Sequence, residues 1–392
     1  MPWKETCAVE ERLEFIMKWR EEQETMAELC RYFGISRKVG YKWVQRFQAE
    51  GLSGLRARSR APHHSPQAIS EGIKEAIVEV RVKHPHWGPK KLVTLLQREF
   101  PSTKWPVAST VGEILHHRGL VVPRRRSRRS PVYTQPFVGC TGPNAVWSAD
   151  MKGWFVTGNG SRCDPFTLID NYSRYLLRCQ VVPTADHDHI RPLLEAAFRE
   201  YGLPQALRTD NGVPFATTTV GGLSRLSIWL LHLSVIPERI APGRPAQNGR
   251  HERMHRTLKA ETATPPQRTL RAQQQAFDRF RLEYNRDRPH EGIAQQTPDS
   301  LYRPSPRRYP SRLPEINYPD HYVRRKVRGQ GEFRWRSHPI YLSETLAGET
   351  VAFHQTGEAR WTIYFGPVRL AQLDTRHHCI IHYPKRRWRQ RT

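Results

Sequence analysis

The chain has 392 residues, of which 63 are Lys or Arg and 37 are Asp or Glu, for a formal net charge of +26. Hydrophobic residues make up 38% of it, enough to bury several cores, so the composition excludes a disordered basic chain. No apolar run approaches the roughly twenty residues of a membrane span, and the N-terminus lacks the apolar region of a signal peptide. Six scattered Cys form no C-x-x-C pair, which argues against a disulfide framework and a zinc finger. We therefore predict a cytoplasmic protein without membrane association.

A positive surplus of this size favours a polyanionic partner, because basic side chains that neutralise phosphates release counterions. Nucleic acid is the first candidate, and a location with the cellular DNA follows from it. Stretches rich in Arg and Pro divide the chain. The predicted segments are a helical domain at 1–56, a second helical domain at 66–122, a basic linker at 123–139, an α/β core with one mixed sheet at 140–297, a small β-barrel at 320–384 and a basic tail at 385–392.

A helix–turn–helix pattern lies in the first segment. Gly34 suits a tight turn, and Ser36 suits the N-cap of a helix that runs to about Glu50. One face of this helix is apolar and the other is basic, which fits either an ordinary solvated face or a helix in the DNA major groove. The charge of the chain favours the second interpretation. The predicted DNA-contacting residues are Arg37, Lys38, Tyr41, Lys42 and Gln45.

The second helical segment contains Thr110 and Glu113 at capping-box spacing, so we predict a helix that begins at Thr110. The linker that follows is strongly basic and is predicted to track DNA phosphates. Its candidate contacts are Arg124, Arg125, Arg126, Arg128 and Arg129.

Three acidic residues of the core lie where predicted strands end or a predicted helix begins. Asp150 lies in a predicted strand, Asp210 at the end of another, and Glu252 early in a long helix. Carboxylates gathered at one site repel each other unless cations neutralise them, and Mg²⁺ prefers oxygen ligands. Each acid alone also has a structural interpretation, since Asp210 begins an Asp-Asn-Gly turn and Glu252 could be a surface charge. We assign two other acids, Asp170 and Asp186, to turn and helix caps.

The long helix that contains Glu252 has one polar face and one apolar face. Met254 and Leu258 point toward the predicted core. The polar face consists of Asn248, Glu252, Arg256 and Lys259, at i, i+4, i+8 and i+11. Arg256 and Asn248 are candidate DNA contacts on this face.

Two runs resemble the integrase core of DDE transposases and retroviral integrases: RTDNGVPF, beginning at Arg208, and PGRPAQNGRHERMHRTLK, beginning at Pro242. Three shorter segments look like the same family: Trp147-x-x-Asp150-x-Lys152, Asp170-Asn-Tyr-Ser-Arg174 and Tyr284-Asn-Arg-Asp-Arg-Pro-His290. Two others, Gly34-Ile35-Ser36 and Trp87-Gly88-Pro89, are similar to segments of bacterial insertion-sequence transposases. The likeness spans about residues 25–300. The absence of a His/Cys zinc module at the N-terminus favours an insertion-sequence protein over a retroviral integrase.

The resemblance implies an RNase H-like catalytic core in which Asp150, Asp210 and Glu252 bind two Mg²⁺ ions, with Mn²⁺ as the alternative ion. It implies a DNA-contacting role for Lys259. It also implies a transposase and DNA endonuclease that binds double-stranded terminal repeats, cleaves them, and joins the 3′ ends to target DNA. Such a reaction requires a homodimer or a higher homo-oligomer.

Two other functions stay open from the residues alone. One is a non-catalytic DNA-binding regulator derived from a transposase, against which the intact acidic triad and Lys259 argue. The other is a stand-alone nuclease for RNA–DNA hybrids, against which the two helical DNA-binding segments argue.

Overall fold

The computed structural model describes residues 7–58, 68–121, 139–151, 153–210, 212, 215, 220–240 and 248–382. The chain forms two compact units, Met1–Ile69 and Ser70–Thr392. Within the described ranges, no helix combines the length and apolarity needed to cross a bilayer.

The first unit is a small three-helix domain. Its helices are α1 (Ala8–Arg20), α2 (Met26–Tyr32) and α3 (Arg37–Glu50). Side chains of Thr25 and Ser36 accept hydrogen bonds from the first turns of α2 and α3, so the predicted cap at Ser36 is confirmed. Phe15, Leu29 and Val44 fill the core between the helices. The five polar residues predicted to contact DNA from α3 are all exposed.

Gly40 of α3 is buried against side chains of α2, and its replacement by Ala is expected to destabilise the first unit. A Cβ at this position would lie 2.6 Å from Cys30 Sγ and 3.1 Å from Met26 Sδ. Overpacking of this kind costs about 1–3 kcal/mol, more than the roughly 1 kcal/mol by which Ala favours a helix. Thermal unfolding followed by circular dichroism measures the loss. Gly72→Ala is the control, because nothing lies within 4 Å of that Cβ and the helical gain stands alone.

The second unit begins with three helices around their own apolar cluster. They are α4 (Glu71–Lys83), α5 (Pro89–Glu99) and α6 (Ala108–His117). Trp87, Leu92 and Leu115 are buried between them. The predicted start of α6 at Thr110 is wrong, because the helix begins two residues earlier with Val107 as its N-cap. Pro106 and Val107 are followed directly by helical backbone, so Thr110 lies inside the first turn and caps nothing.

The core is an α/β layer with one mixed sheet, as predicted. Its strands are β1 (Val146–Met151), β2 (Phe155–Val156), β3 (Arg162–Asp170), β4 (Leu176–Val182), β5 (Ala206–Thr209) and β6 (Ile236–Arg239). Five of the strands are ordered β4-β3-β1-β5-β6, and the two-residue β2 pairs with the start of β3. Strand β1 is antiparallel to β3 and parallel to β5. Its helices are α7 (His187–Tyr201), α8 (Arg225–His232), α9 (Gly249–Thr262) and α10 (Leu270–Arg286).

Each face of this sheet is covered by a different pair of helices. Phe166 and Leu168 point to the side of α7 and α8, where they join Trp147 and Phe198. Ile169 points to the other side, with Met254 of α9 and other apolar residues of α10. This alternation is the period-two pattern of a strand that is buried on both faces. The first turn of α9 consequently lies at the sheet, beside the C-terminal end of β1.

Two acidic residues outside the predicted triad cap local structure, as expected. The Asp170 carboxylate accepts hydrogen bonds from the backbone N–H groups of Asn144 and Ser173 and from the Ser173 hydroxyl. Asp186 accepts from His189 N at 2.9 Å at the start of α7.

A proline-containing strap follows α10 and the short helix α11 (Pro298–Leu301). Tyr302 is buried, stacks on Tyr175 and donates its hydroxyl hydrogen bond to Asn144. Leu203 N donates to Arg307 O at 2.7 Å, and the Arg307 guanidinium donates to the carbonyls of Leu233 and Pro204. Residues 302–309, which we name the strap, are therefore packed on the α7–α8 side of the core.

The C-terminal segment is an open sheet and not the closed barrel that we predicted. Strands β7 (Val323–Lys326), β10 (Thr350–Gly357), β11 (Arg360–Phe365), β12 (Val368–Asp374) and β13 (Cys379–His382) form it, and β8 (Glu332–Trp335) with β9 (His338–Tyr341) forms a separate hairpin. Among the described residues, β7 and β13 have no hydrogen-bonded strand that joins them. The sheet buries its apolar face against Ile228 and Leu231 of α8. Because that helix covers the face, closure is not needed to remove it from water.

Candidate active site

Asp150 and Asp210 lie side by side at one edge of the sheet. Parallel pairing of β1 with β5 joins Ser148 to Arg208, so the two aspartates follow two residues later on adjacent strands. Neighbouring strands are about 4.8 Å apart. Asp150 is largely buried, whereas Asp210 is exposed and accepts a hydrogen bond from Gly212 N at 3.1 Å. The third acid, Glu252, is exposed in the first turn of α9.

The electrostatic effect of this cluster is resolved at Asp150. Its pKa is raised to about 6, first by burial and also by the negative charges of Asp210 and Glu252, against the opposing hydrogen bond from Asn248. The Asn248 side-chain amide donates that bond to Asp150 Oδ2 at 2.6 Å. Asn248 thus ties the start of α9 to the end of β1.

A buried network on the inner side of α9 supports the same aspartate. Asp150 pairs with Thr167 across β1 and β3. The Thr167 hydroxyl lies 3.1 Å from the Asp150 carbonyl oxygen and 2.7 Å from Nε2 of both His251 and His255. We name these groups the Thr167 network.

The hydrogen bonds of this network define the state of the imidazoles. A carbonyl only accepts, and a hydroxyl donates one proton. All three contacts are satisfied when Thr167 donates to Asp150 O and both Nε2–H groups donate to Thr167, which places a proton on Nε2 of each ring. Burial lowers the pKa of His251 to about 3, so this ring is neutral, and its Nδ1 has no partner among the described residues.

The residues present suit a divalent cation. Asp150, Asp210 and Glu252 offer the oxygen donors that Mg²⁺ prefers, and their mutual repulsion is what a cation relieves. A second donor set is nitrogen-rich: ligand atoms of Asp150, His251 and His255 lie within 4.8 Å of one another. Both Nε2 atoms are engaged by Thr167, however, so we interpret the histidines as supports for Asp150.

Comparison with known proteins agrees with this architecture. Family models match for a helix-turn-helix domain at residues 11–63, a homeodomain-like domain at 39–115, and integrase core domains at 141–245 and 233–298. A protein of insertion element IS476 from Xanthomonas euvesicatoria is 26% identical over 70% of this chain and 77% of its own length. A protein of insertion element IS407 from Burkholderia multivorans is 26% identical over 60% of this chain and 82% of its own.

The resemblance to insertion-sequence transposases with an integrase-type core is confirmed. The magnesium-bound catalytic core of HTLV-2 integrase, a solved structure, is 15% identical and covers 41% of this chain and 98% of its own, with a TM-score of 0.32.

The other predicted site residues of this transposase-like chain fall in three places. Arg256 and Lys259 are exposed on α9, on the face of Glu252. The predicted contacts of α3 belong to the first unit. The five linker arginines, residues 124–126, 128 and 129, lie outside the described residues, as does the basic tail.

Sequence analysis missed the Thr167 network. His251 and His255 are four residues apart and interleaved with the polar face of α9, a spacing that puts both rings on one side of a helix. That spacing was the available signal, yet it does not show that the side faces Thr167, 84 and 88 residues away.

Proposed function

We propose that this chain is a DNA transposase that binds the terminal repeats of an insertion sequence, cleaves a DNA strand, and joins the freed 3′-hydroxyl to target DNA by two-metal transesterification. The observation that carries the proposal is the meeting of Asp150, Asp210 and Glu252 at one sheet edge, where the charges of the latter two raise the pKa of Asp150. Repulsive carboxylates held together by a fold suit a cation site.

Three parts of the chain prepare this site. Asn248 orients the Asp150 carboxylate through its side-chain amide. The Thr167 network connects the backbone of β1 to α9. Divalent cations bound to the triad would activate the attacking hydroxyl and stabilise the leaving oxygen of a phosphodiester. Lys259 lies two helical turns from Glu252 on the same exposed face, about 10 Å along α9, where it can contact a DNA phosphate.

DNA recognition belongs, in this proposal, to the helical segments. The exposed basic face of α3 presents cations to phosphates and Gln45 to a base edge. The linker arginines follow the phosphates, and two copies of the chain hold two element ends for joining.

The proposal is tested by incubating the full chain with labelled element-end duplex and a target plasmid in Mg²⁺, in Mn²⁺ and in EDTA. Joined products are expected in either ion and not in EDTA, whereas binding of the end duplex persists in all three. End binding without products in either ion would instead support the regulator. Cleavage of an RNA–DNA hybrid without any joining would support the nuclease.

A further inference from the structure

A second polar site lies beside the start of α9, on the side opposite Glu252. It is a pocket of about 420 Å³ lined by Arg174, Arg250, Tyr172, Cys140 and the backbone around Gly292 and Ala294. This volume lies within the range of about 300–1,000 Å³ that is usual for small-molecule sites. The remaining lining residues, Ile293, Gln296 and Leu301, are neutral.

Two guanidinium groups are held together in this pocket. Nη1 of Arg174 and Nη1 of Arg250 donate to the same oxygen, the Asn171 carbonyl, at 3.0 and 2.9 Å. Burial lowers the pKa of Arg174 to about 10, and the neighbouring charge of Arg250 is the next cause. Like charges brought side by side in a partly buried pocket cost free energy, which an anionic ligand offsets.

The backbone that presents Arg174 is unusual for a residue with a side chain. Its φ is +68°, in the left-handed region that non-glycine residues seldom adopt. The turn is held by Asp170, which accepts from Ser173 N, and by Arg174 N, which donates to Asp170 O. Backbone held in this way sets the direction of a side chain and is concentrated at binding sites.

We propose that this pocket binds a phosphate group of a DNA strand, with Arg174 and Arg250 on the phosphate and Tyr172 against the neighbouring base. Guanidinium groups suit phosphate because their N–H donors match its oxygens. Tyr172 is 40% exposed at the pocket, and aromatic rings stack on bases without sequence preference.

The inference rests on the proposed function only in naming DNA as the ligand. Arg250 and Glu252 are two residues apart on α9, so they leave the helix in opposite directions. The pocket therefore anchors DNA beside the reacting phosphate and not at it. Binding to the pocket requires no divalent cation and can be measured in EDTA.

Cys140 provides a local probe, because its half-buried thiol lines the pocket. The full chain is alkylated with iodoacetamide in mildly alkaline EDTA buffer, and peptide mass spectrometry measures each cysteine. Deoxyadenosine monophosphate and a short deoxyoligonucleotide are expected to slow the modification of Cys140, whereas deoxyadenosine without phosphate does not. The exposed Cys7 and Cys379 serve as internal controls for the mononucleotide.

Gly292 offers a matched pair of variants that leaves both arginines in place. A Cβ at Gly292 would lie 3.7 Å from Nη2 of Arg174, in ordinary contact, so an Asp there reaches the guanidinium. Gly292→Asp should raise the half-protecting nucleotide concentration by roughly 10- to 100-fold, the range for losing a charge-assisted hydrogen bond. Gly292→Asn, of the same size and neutral, should leave that concentration within about threefold of the wild type, since it removes no such bond.

Three results overturn the assignment: no protection of wild-type Cys140 by either phosphate ligand, equal protection by deoxyadenosine, or protection by the mononucleotide without any by the oligonucleotide. The last would identify a free nucleotide as the ligand. Because no metal or joining step is involved, protection can succeed where the strand-joining assay fails, and the reverse.

Discussion

Replacing Asp150 by Asn is expected to slow strand cleavage and joining by about a thousandfold or more, since metal-based stabilisation of a phosphoryl transition state is worth several kcal/mol. The amide keeps the size of the side chain and can still accept from Asn248. It cannot supply the negative charge that a divalent cation requires. The effect is therefore expected on the reaction and not on the binding of the end duplex.

The same substitution is expected to stabilise the metal-free protein at high pH. The pKa of Asp150 is raised to about 6 in the folded chain, above its ordinary 3.8, so the folded state binds the proton more tightly than the unfolded state. Folding stability is then lost as the pH rises from about 4 to about 6, by up to roughly 3 kcal/mol for two pKa units. Asp150→Asn removes this loss at pH 8 and changes little at pH 4.

Urea unfolding in EDTA at the two pH values, together with the joining assay in Mg²⁺, measures both effects. Asp188→Asn is the matched control, because that carboxylate is exposed near the start of α7. It should change neither the reaction nor the pH dependence. An Asp150→Asn protein that joins strands at the wild-type rate would contradict the assignment of the triad.

Replacing Thr167 by Val is expected to destabilise the 70–392 unit by about 2 kcal/mol or more, because it leaves two buried imidazole nitrogens without partners at about 1–3 kcal/mol each. Val has the shape of Thr, so packing is preserved. The orphaned groups are Nε2 of His251 and Nε2 of His255. Strand joining should weaken as well, because β1 and α9 then lose the bonds that hold Asp150 toward Glu252.

Thr362 supplies the control for this change. It is equally buried in β11, and its hydroxyl has no hydrogen-bond partner among the described residues. Thr362→Val therefore removes a polar atom that bonds nothing and should be neutral or slightly stabilising. Equal losses for the two variants, measured by urea unfolding, would show that the Thr167 network contributes no stability.

The positions of the acidic residues could be predicted because their signals are local. Asp210 ends an apolar strand at a turn, and Glu252 follows the glycine that opens a helix, so each is visible in a short window. Thr167 carries no such signal. Its role comes from the antiparallel register that places it opposite Asp150, and register is set by the whole sheet.

Contacts between distant segments were equally hidden. Alternating apolar residues indicated short strands in the C-terminal segment, but closure into a barrel depends on what covers them, and α8 does so. In the same way, Lys91 Nζ donates to Pro289 O, and His84 bonds Glu283 at 2.9 Å, so the second helical segment packs on the end of α10. No pattern within either segment indicates this pairing.

The strap has a consequence for how the integrase-type core of this chain can be isolated. Matches to the integrase core stop at residue 298, yet Tyr302 fills the cluster around Tyr175, and Arg307 satisfies carbonyls that follow α7 and α8. A fragment cut at 298 would expose that cluster to water and leave those carbonyls without their donor. A stable fragment of this core accordingly has to extend past Tyr309, beyond the limit that family likeness suggests.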